Sequence, residues 1–215
     1  MKGAFIIAGY TLVLALHFFA SWLGWRSFQS WLMIAGIPLS IMTAVYTAYL
    51  FAQAKARDMW QNPLLPPHLL VQALLLGSAV LSLVIFWLEK REEYVAFVSD
   101  KVPLIFGGSP PALLVSSHIL AVSSLLHLLM IWGEVSLTHP TAHARLAIWE
   151  MTKGRYKSDF WFGVVLSLLG ALPPWLALLG YLNPPLAVAG APLALVGMML
   201  YENAYVQAGQ SVPLA

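Results

Sequence analysis

The sequence predicts an all-α fold, a polytopic integral membrane bundle of about six transmembrane helices. Three observations predict it. Apolar stretches near 3–25, 31–54, 66–88, 111–132, 160–182 and 186–207 fill most of the 215 residues. Each approaches the roughly 20 residues that a helix needs to cross about 30 Å of hydrocarbon at about 1.5 Å per residue. Hydrophobic residues make up 60% of the chain and charged residues 9%, whereas soluble domains carry roughly 25% charge. A mean hydropathy of +0.78 leaves too little polar surface to hold six such segments in water. With no internal repeat, low-complexity tract or linker, the stretches read as a single transmembrane domain over 1–215.

The first stretch is too long for the apolar core of a signal peptide, and no small-residue cleavage site follows it. The second ends in Lys55-Ala-Arg57-Asp58 and meets Asn62-Pro63 and Pro66-Pro67. Proline removes a backbone donor and biases the residue before it away from helix, so a turn is predicted between two spans. The third leads into a long connection, 89–111, with Gly107-Gly108 and Pro110-Pro111; it is expected to be irregular apart from a short helix around 92–98. After the fourth stretch the polar segment 133–159 holds His139, His143 and Arg145, and Ala142 to Met151 is predicted as an interfacial helix. The fifth contains Pro173-Pro174, which predicts a kink or an early end. Its Gly163, Ser167 and Gly170 stand at i, i+4 and i+7, a small-residue face that lets another helix come close.

Loop charges set the orientation. One side carries Lys2, Lys55, Arg57, Arg145, Lys153, Arg155 and Lys157, and the other Arg26, Lys90, Arg91 and Lys101 among four acidic residues. The excess places both termini in the cytoplasm. Trp22, Trp25, Trp31 and Trp87 fall near the outer boundary and Trp60, Trp132 and Trp149 near the inner one, where indoles act as anchors. The absence of cysteine excludes disulfides, thiolate metal sites and iron–sulfur ligation by this chain. A net charge of +2 does not point to nucleic acid. There is no phosphate loop, HExxH or nucleophile elbow, so no catalytic residue and no metal site is assigned. His139 and His143 read as solvated loop histidines, because Pro140 between them opposes a helix.

Function must then be sought in the few polar groups kept within the membrane, which are costly there. Tyr46, Tyr49, Gln53 and Arg57 follow one stripe of the second helix. The two tyrosines can bond a quinone carbonyl, and Gln53 and Arg57 can extend a proton path; the same stripe also suits interhelical bonding with Arg57 snorkelling to the interface. On the fourth helix Ser116, Ser123, His127 and Glu134 share a face, and His127 and Glu134 can exchange protons. Glu202 lies inside the last apolar stretch beside Asn203 and Tyr205, with Arg57 as a candidate partner. Each of these groups reads equally as a buried polar pair. A haem b site using His17 and His118, which sit at similar depth, is an alternative, and a transporter fragment is another.

The segment from Tyr46 to Trp60, with the following Gln-Asn-Pro-Leu-Leu-Pro-Pro-His, resembles the NrfD/PsrC family, the membrane subunits of polysulfide-reductase-like and nitrite-reductase-associated complexes. Asp159-Phe-Trp-Phe-Gly163 looks like the family's approach to its penultimate helix, and Tyr205-Val-Gln-Ala-Gly-Gln-Ser-Val-Pro-Leu like its closing signature. The resemblance spans helices two to six. It implies a subunit that binds menaquinone or ubiquinone in the bilayer and exchanges electrons with an iron–sulfur subunit, beside a molybdopterin catalytic subunit or a multihaem cytochrome. It implies no haem in the chain, and it places Tyr46 at the quinone. Members usually have eight or more spans. The opening Met1-Lys-Gly-Ala-Phe-Ile-Ile looks like the interior of the family's Ser-Pro-Met-x-x-Gly-x-Trp motif, so the resemblance implies that two family helices, with part of the quinone pocket, are missing ahead of Met1.

Overall fold

In a solvent without hydrogen-bonding partners, an apolar segment satisfies its backbone by coiling on itself, and the apolar stretches of this chain do so. The computed structural model describes residues 2–88 and 112–213. Helices run α1 (Lys2–Trp22), α2 (Arg26–Phe51), α3 (Leu65–Leu88), α4 (Ala112–Ser136), α5 (Ala142–Thr152), α6 (Lys157–Leu178), α7 (Pro184–Ala187) and α8 (Gly190–Ser211), with a 3₁₀ turn at Asp58–Gln61. No strand occurs among the described residues. Six segments there are long and apolar enough to span a bilayer: Gly3–Trp22, Arg26–Phe51, Leu65–Leu88, Ala112–Ser136, Lys157–Leu178 and Pro184–Ser211. The all-helical membrane bundle read from the sequence is therefore the observed fold class. The predicted irregular connection and its short helix around 92–98 lie outside the described residues.

The chain divides into two compact units. The first comprises Met1–Lys55 and Trp60–Leu70. Its α1 and α2 form a hairpin whose turn needs Gly24 at φ 72, a conformation that glycine enters without steric cost. Gln29 Nε2 donates to Ser21 Oγ at 2.9 Å across that turn. Helix α2 ends at Phe51, three residues short of the expected boundary. Beyond it, Gln61 Nε2 donates to Ala52 O at 3.1 Å and Ala54 O at 3.3 Å, and the Trp60 ring meets Phe51 edge-on at 4.9 Å. Trp60 is thus buried, 8% exposed, and is no interfacial anchor, whereas Trp22, Trp25 and Trp31 are well exposed as expected.

The second unit comprises Ala56–Met59 and Val71–Ala215. Its core is Leu75 and Ala79 of α3, Leu120 of α4 and Ala191, Ala194 and Met198 of α8. The closest approach is between α6 and α8. A methyl on Gly163 would stand 2.7 Å from Tyr201 N, and one on Gly197 would stand 2.5 Å from Ser167 N. The face of Gly163, Ser167 and Gly170 is buried, as its spacing predicted. The proline pair does not end the helix. Pro173 and Pro174 both lie inside α6, which continues to Leu178. Pro174 is buried against Gly190, and the next residue, Trp175, donates its Nε1–H to Ala121 O of α4 at 2.7 Å. Neighbouring helices hold the segment where proline removes local support. The helix is stopped instead by Gly180 at φ 80, with Tyr181 N donating back to Leu176 O at 2.8 Å. Helix α5 forms where predicted, with Thr141 Oγ1 accepting from Ala144 N as its N-cap.

Candidate functional site

Polar side chains gather inside the second unit. Helix α4 carries Ser116, Ser123, His127 and Glu134 on one face, and all four are buried. The serines largely satisfy themselves on their own helix. Ser123 Oγ donates to Ile119 O at 2.7 Å, and Ser116 Oγ donates to Leu113 O at 3.1 Å while accepting from Ser82 Oγ of α3 at 3.0 Å. That leaves His127 and Glu134 as the ionisable groups of the face, fully buried or nearly so at 0% and 2% exposed.

Helix α8 faces them with Tyr201, Glu202 and Tyr205. The His127 ring stands edge-on to Tyr201, with centroids 5.2 Å apart, and the Tyr201 and Tyr205 rings lie 6.1 Å apart. Glu134 and Glu202 are both within electrostatic reach of the two tyrosines. Glu202 Oε1 accepts a hydrogen bond from Gln72 Nε2 of α3. Tyr205 O–H donates to Met59 O at 3.3 Å. One turn beyond, Arg57 Nη1 donates to Gly209 O at 3.2 Å and also to Val212 O. The result is a cluster of exchangeable groups on α3, α4 and α8, in which Gln72, Tyr201, His127, Glu134 and Tyr205 are buried and Glu202 is half-buried.

Arg57 corrects one expectation. It does not pair with Glu202 but closes the C-terminal carbonyls of α8, where a helix leaves acceptors unmet and a cation is favoured. Glu202 instead has the amide of Gln72 as its partner. Gln72 and Tyr201 were not singled out in the sequence. A lone amide within the apolar run 65–88 was the available signal for Gln72; Tyr201 is a common core residue and gave none.

The family model described as Polysulphide reductase, NrfD, matches residues 4–213. The chain belongs to the NrfD family. It is accordingly a multi-pass membrane protein of a family whose members are membrane subunits of respiratory oxidoreductases and work with other redox subunits. The curated proteins and the solved structures contain no significant match to it.

Tyr46 lies in the last third of α2, half-buried, with its ring over Gly3 of α1. Its hydroxyl makes no hydrogen bond among the described residues. Tyr49 is 60% exposed on the same helix. The stripe does not continue as drawn from the sequence. Helix α2 stops at Phe51, so Gln53, which is exposed, and Arg57 lie outside its periodicity. His17 and His118 are each half-buried, His17 on α1 and His118 on α4. His17 lines a groove of about 320 Å³ between α1 and α2 with Tyr10 and Ser40. No cluster of three or more metal-binding side chains occurs among the described residues. His143 is not a loop residue: it lies in the first turn of α5, and its Nδ1 lies 3.8 Å from Asp58 Oδ2. His139 Nε2 contacts Glu134 O at 2.8 Å.

Proposed function

We propose that this chain is the quinone-interacting membrane subunit of a respiratory oxidoreductase, passing electrons between menaquinone or ubiquinone and a partner iron–sulfur subunit. The observation that carries the reading is the NrfD match across residues 4–213. The partner iron–sulfur subunit would stand beside a molybdopterin catalytic subunit or a multihaem cytochrome. With no cysteine, the chain has no thiolate with which to hold a cluster of its own, so a cluster receiving the electrons belongs to another polypeptide.

Tyr46 and Tyr49 are the residues assigned to the quinone. The Tyr46 hydroxyl suits a quinone carbonyl, since it is a donor in an apolar setting with no acceptor among the described residues. A bound quinone supplies two-electron chemistry coupled to two protons. The chain's part is to orient the head group and to move protons. Glu202, held by Gln72, and His127, with Glu134 near the tyrosines, are groups that can take and release a proton within the membrane. Gln53, exposed beyond the end of α2, is a further polar group in this reading. Arg57, which caps the end of α8, is the cationic member of this set. The membrane is assigned as the bacterial or archaeal inner membrane from the family resemblance, and both termini as cytoplasmic from the loop charges.

The test is quinol-dependent turnover by the assembled complex in liposomes. Removal of this subunit is expected to abolish quinol oxidation while electron transfer from an artificial donor to the catalytic subunit persists. Quinol turnover that persists without the subunit would overturn the proposal.

A further inference from the structure

We propose that the turn joining α5 to α6 is a binding site for the headgroup of an anionic phospholipid, with the acyl chains laid along the outer face of α6. This rests on the second unit alone and is independent of the quinone reading.

Lys153, Arg155 and Lys157 fall within five residues, and all three are exposed. Among the described residues no carboxylate lies within 4 Å of any of their charged heads, and none of the heads donates a hydrogen bond. The two nearby acids are engaged elsewhere. Glu150 Oε2 accepts from the backbone Arg155 N at 3.0 Å, and Asp159 Oδ2 accepts from Asn203 Nδ2 at 2.6 Å. The fold thus uses its local carboxylates on amides and leaves three cations facing outward.

The turn is held rigidly. Gly154 N and Lys153 N both donate to Trp149 O at 2.8 Å, and Trp161 Nε1 donates to Thr152 O at 3.0 Å. Trp149 and Trp161 flank the cations, half-exposed at 50% and 52%. Indole rings of this kind settle at the headgroup level, which fixes the depth of the three cations at the phosphate layer.

Below the turn, the exposed face of α6 is wholly apolar. Trp161, Phe162, Val165, Leu168, Leu169 and Leu172 are 43–65% exposed, while Gly163, Ser167 and Gly170 face inward. From Lys157 to Leu168 is about 16 Å at the helical rise, close to the roughly 15 Å of one hydrocarbon leaflet. Charge above and a leaflet-deep apolar strip below match a phospholipid and not a soluble anion, which would gain nothing from the strip. Anionic lipid is favoured over zwitterionic because three unpaired cations meet a net negative headgroup.

The test is native mass spectrometry of the purified full chain, titrated with phosphatidylglycerol and with phosphatidylcholine of the same acyl chains. Retention of phosphatidylglycerol over phosphatidylcholine is expected. At about fivefold in affinity per cation at an anionic surface, K153Q/R155Q/K157Q is expected to lose on the order of a hundredfold. The charge-preserving K153R/R155K/K157R is expected to keep the preference, which separates charge from folding, and inorganic phosphate at millimolar concentration is expected not to displace the lipid. Equal retention of both lipids by the unaltered chain, an undiminished preference in the glutamine variant, loss of the preference in the charge-preserving one, or displacement by phosphate would each overturn the proposal.

Discussion

At the scale of single residues, Glu202 and Tyr46 pose two different problems. Glu202 sits within a membrane span and accepts from Gln72. A hydrogen bond involving a charged group contributes about 1.5–3 kcal/mol, and a neutral one about 0.5–1.5 kcal/mol. Gln72→Leu removes the donor and is expected to lower thermal stability in detergent by an amount in that range, with Glu202→Gln milder because an amide can still accept. Equal melting temperatures for Q72L and the unaltered chain would show the bond to be energetically idle. Tyr46 instead offers a hydroxyl unused among the described residues, so Tyr46→Phe is expected to leave membrane insertion and stability unchanged and to lower quinol turnover of the assembled complex at least tenfold. Normal turnover in Y46F would remove it from the site. Both residues were visible in the sequence as polar groups in apolar runs. The partner of Glu202 was not, because a partner on another helix is a matter of packing.

At the scale of elements, the contact of α6 with α8 is the most demanding. Gly163, Gly170, Gly190 and Gly197 bring two backbones together where even one methyl meets main-chain atoms. Added volume in a packed interior costs about 1–3 kcal/mol when it can be absorbed, and backbone atoms absorb it poorly. Gly170→Leu is expected to cost at least that much, with reduced yield of folded protein on size exclusion, whereas Gly77→Leu, where nothing lies within 4 Å, is expected to be tolerated. Comparable losses at both positions would contradict this account of the interface. The small-residue spacing on α6 was legible because helical periodicity alone places Gly163, Ser167 and Gly170 on one side. The persistence of α6 through Pro173-Pro174 was not. Proline's local penalty reads from sequence, but its offset by Gly190 and by Trp175 bonding to Ala121 belongs to the packed state. The stop of α2 at Phe51 has the same origin, since Gln61 returns to bond Ala52 and Ala54.

At the scale of the whole molecule, six spans among the described residues and a basic bias on alternate loops predict an even number of crossings with both ends on one side. Reporter fusions at the C-terminus and within the α5–α6 turn are expected to report the cytoplasm; activity of a periplasm-dependent reporter at either point would invert the topology. The purified chain is expected to show no reduced-minus-oxidised Soret or α band, and the appearance of one would favour the haem alternative with His17 and His118. Composition and run length were enough to determine that this protein is a helical membrane bundle, because the cost of exposing apolar segments to water is set by the residues themselves. The motif from Tyr46 to Trp60 was enough to point to the NrfD family. Only the tertiary structure decided which polar groups meet: Glu202 with Gln72, Arg57 with the end of α8, His127 with Tyr201. Such pairings bring together residues separated by up to 155 positions in the chain, and no local preference encodes them. They follow from which helix faces pack, and that is a property of the assembled core.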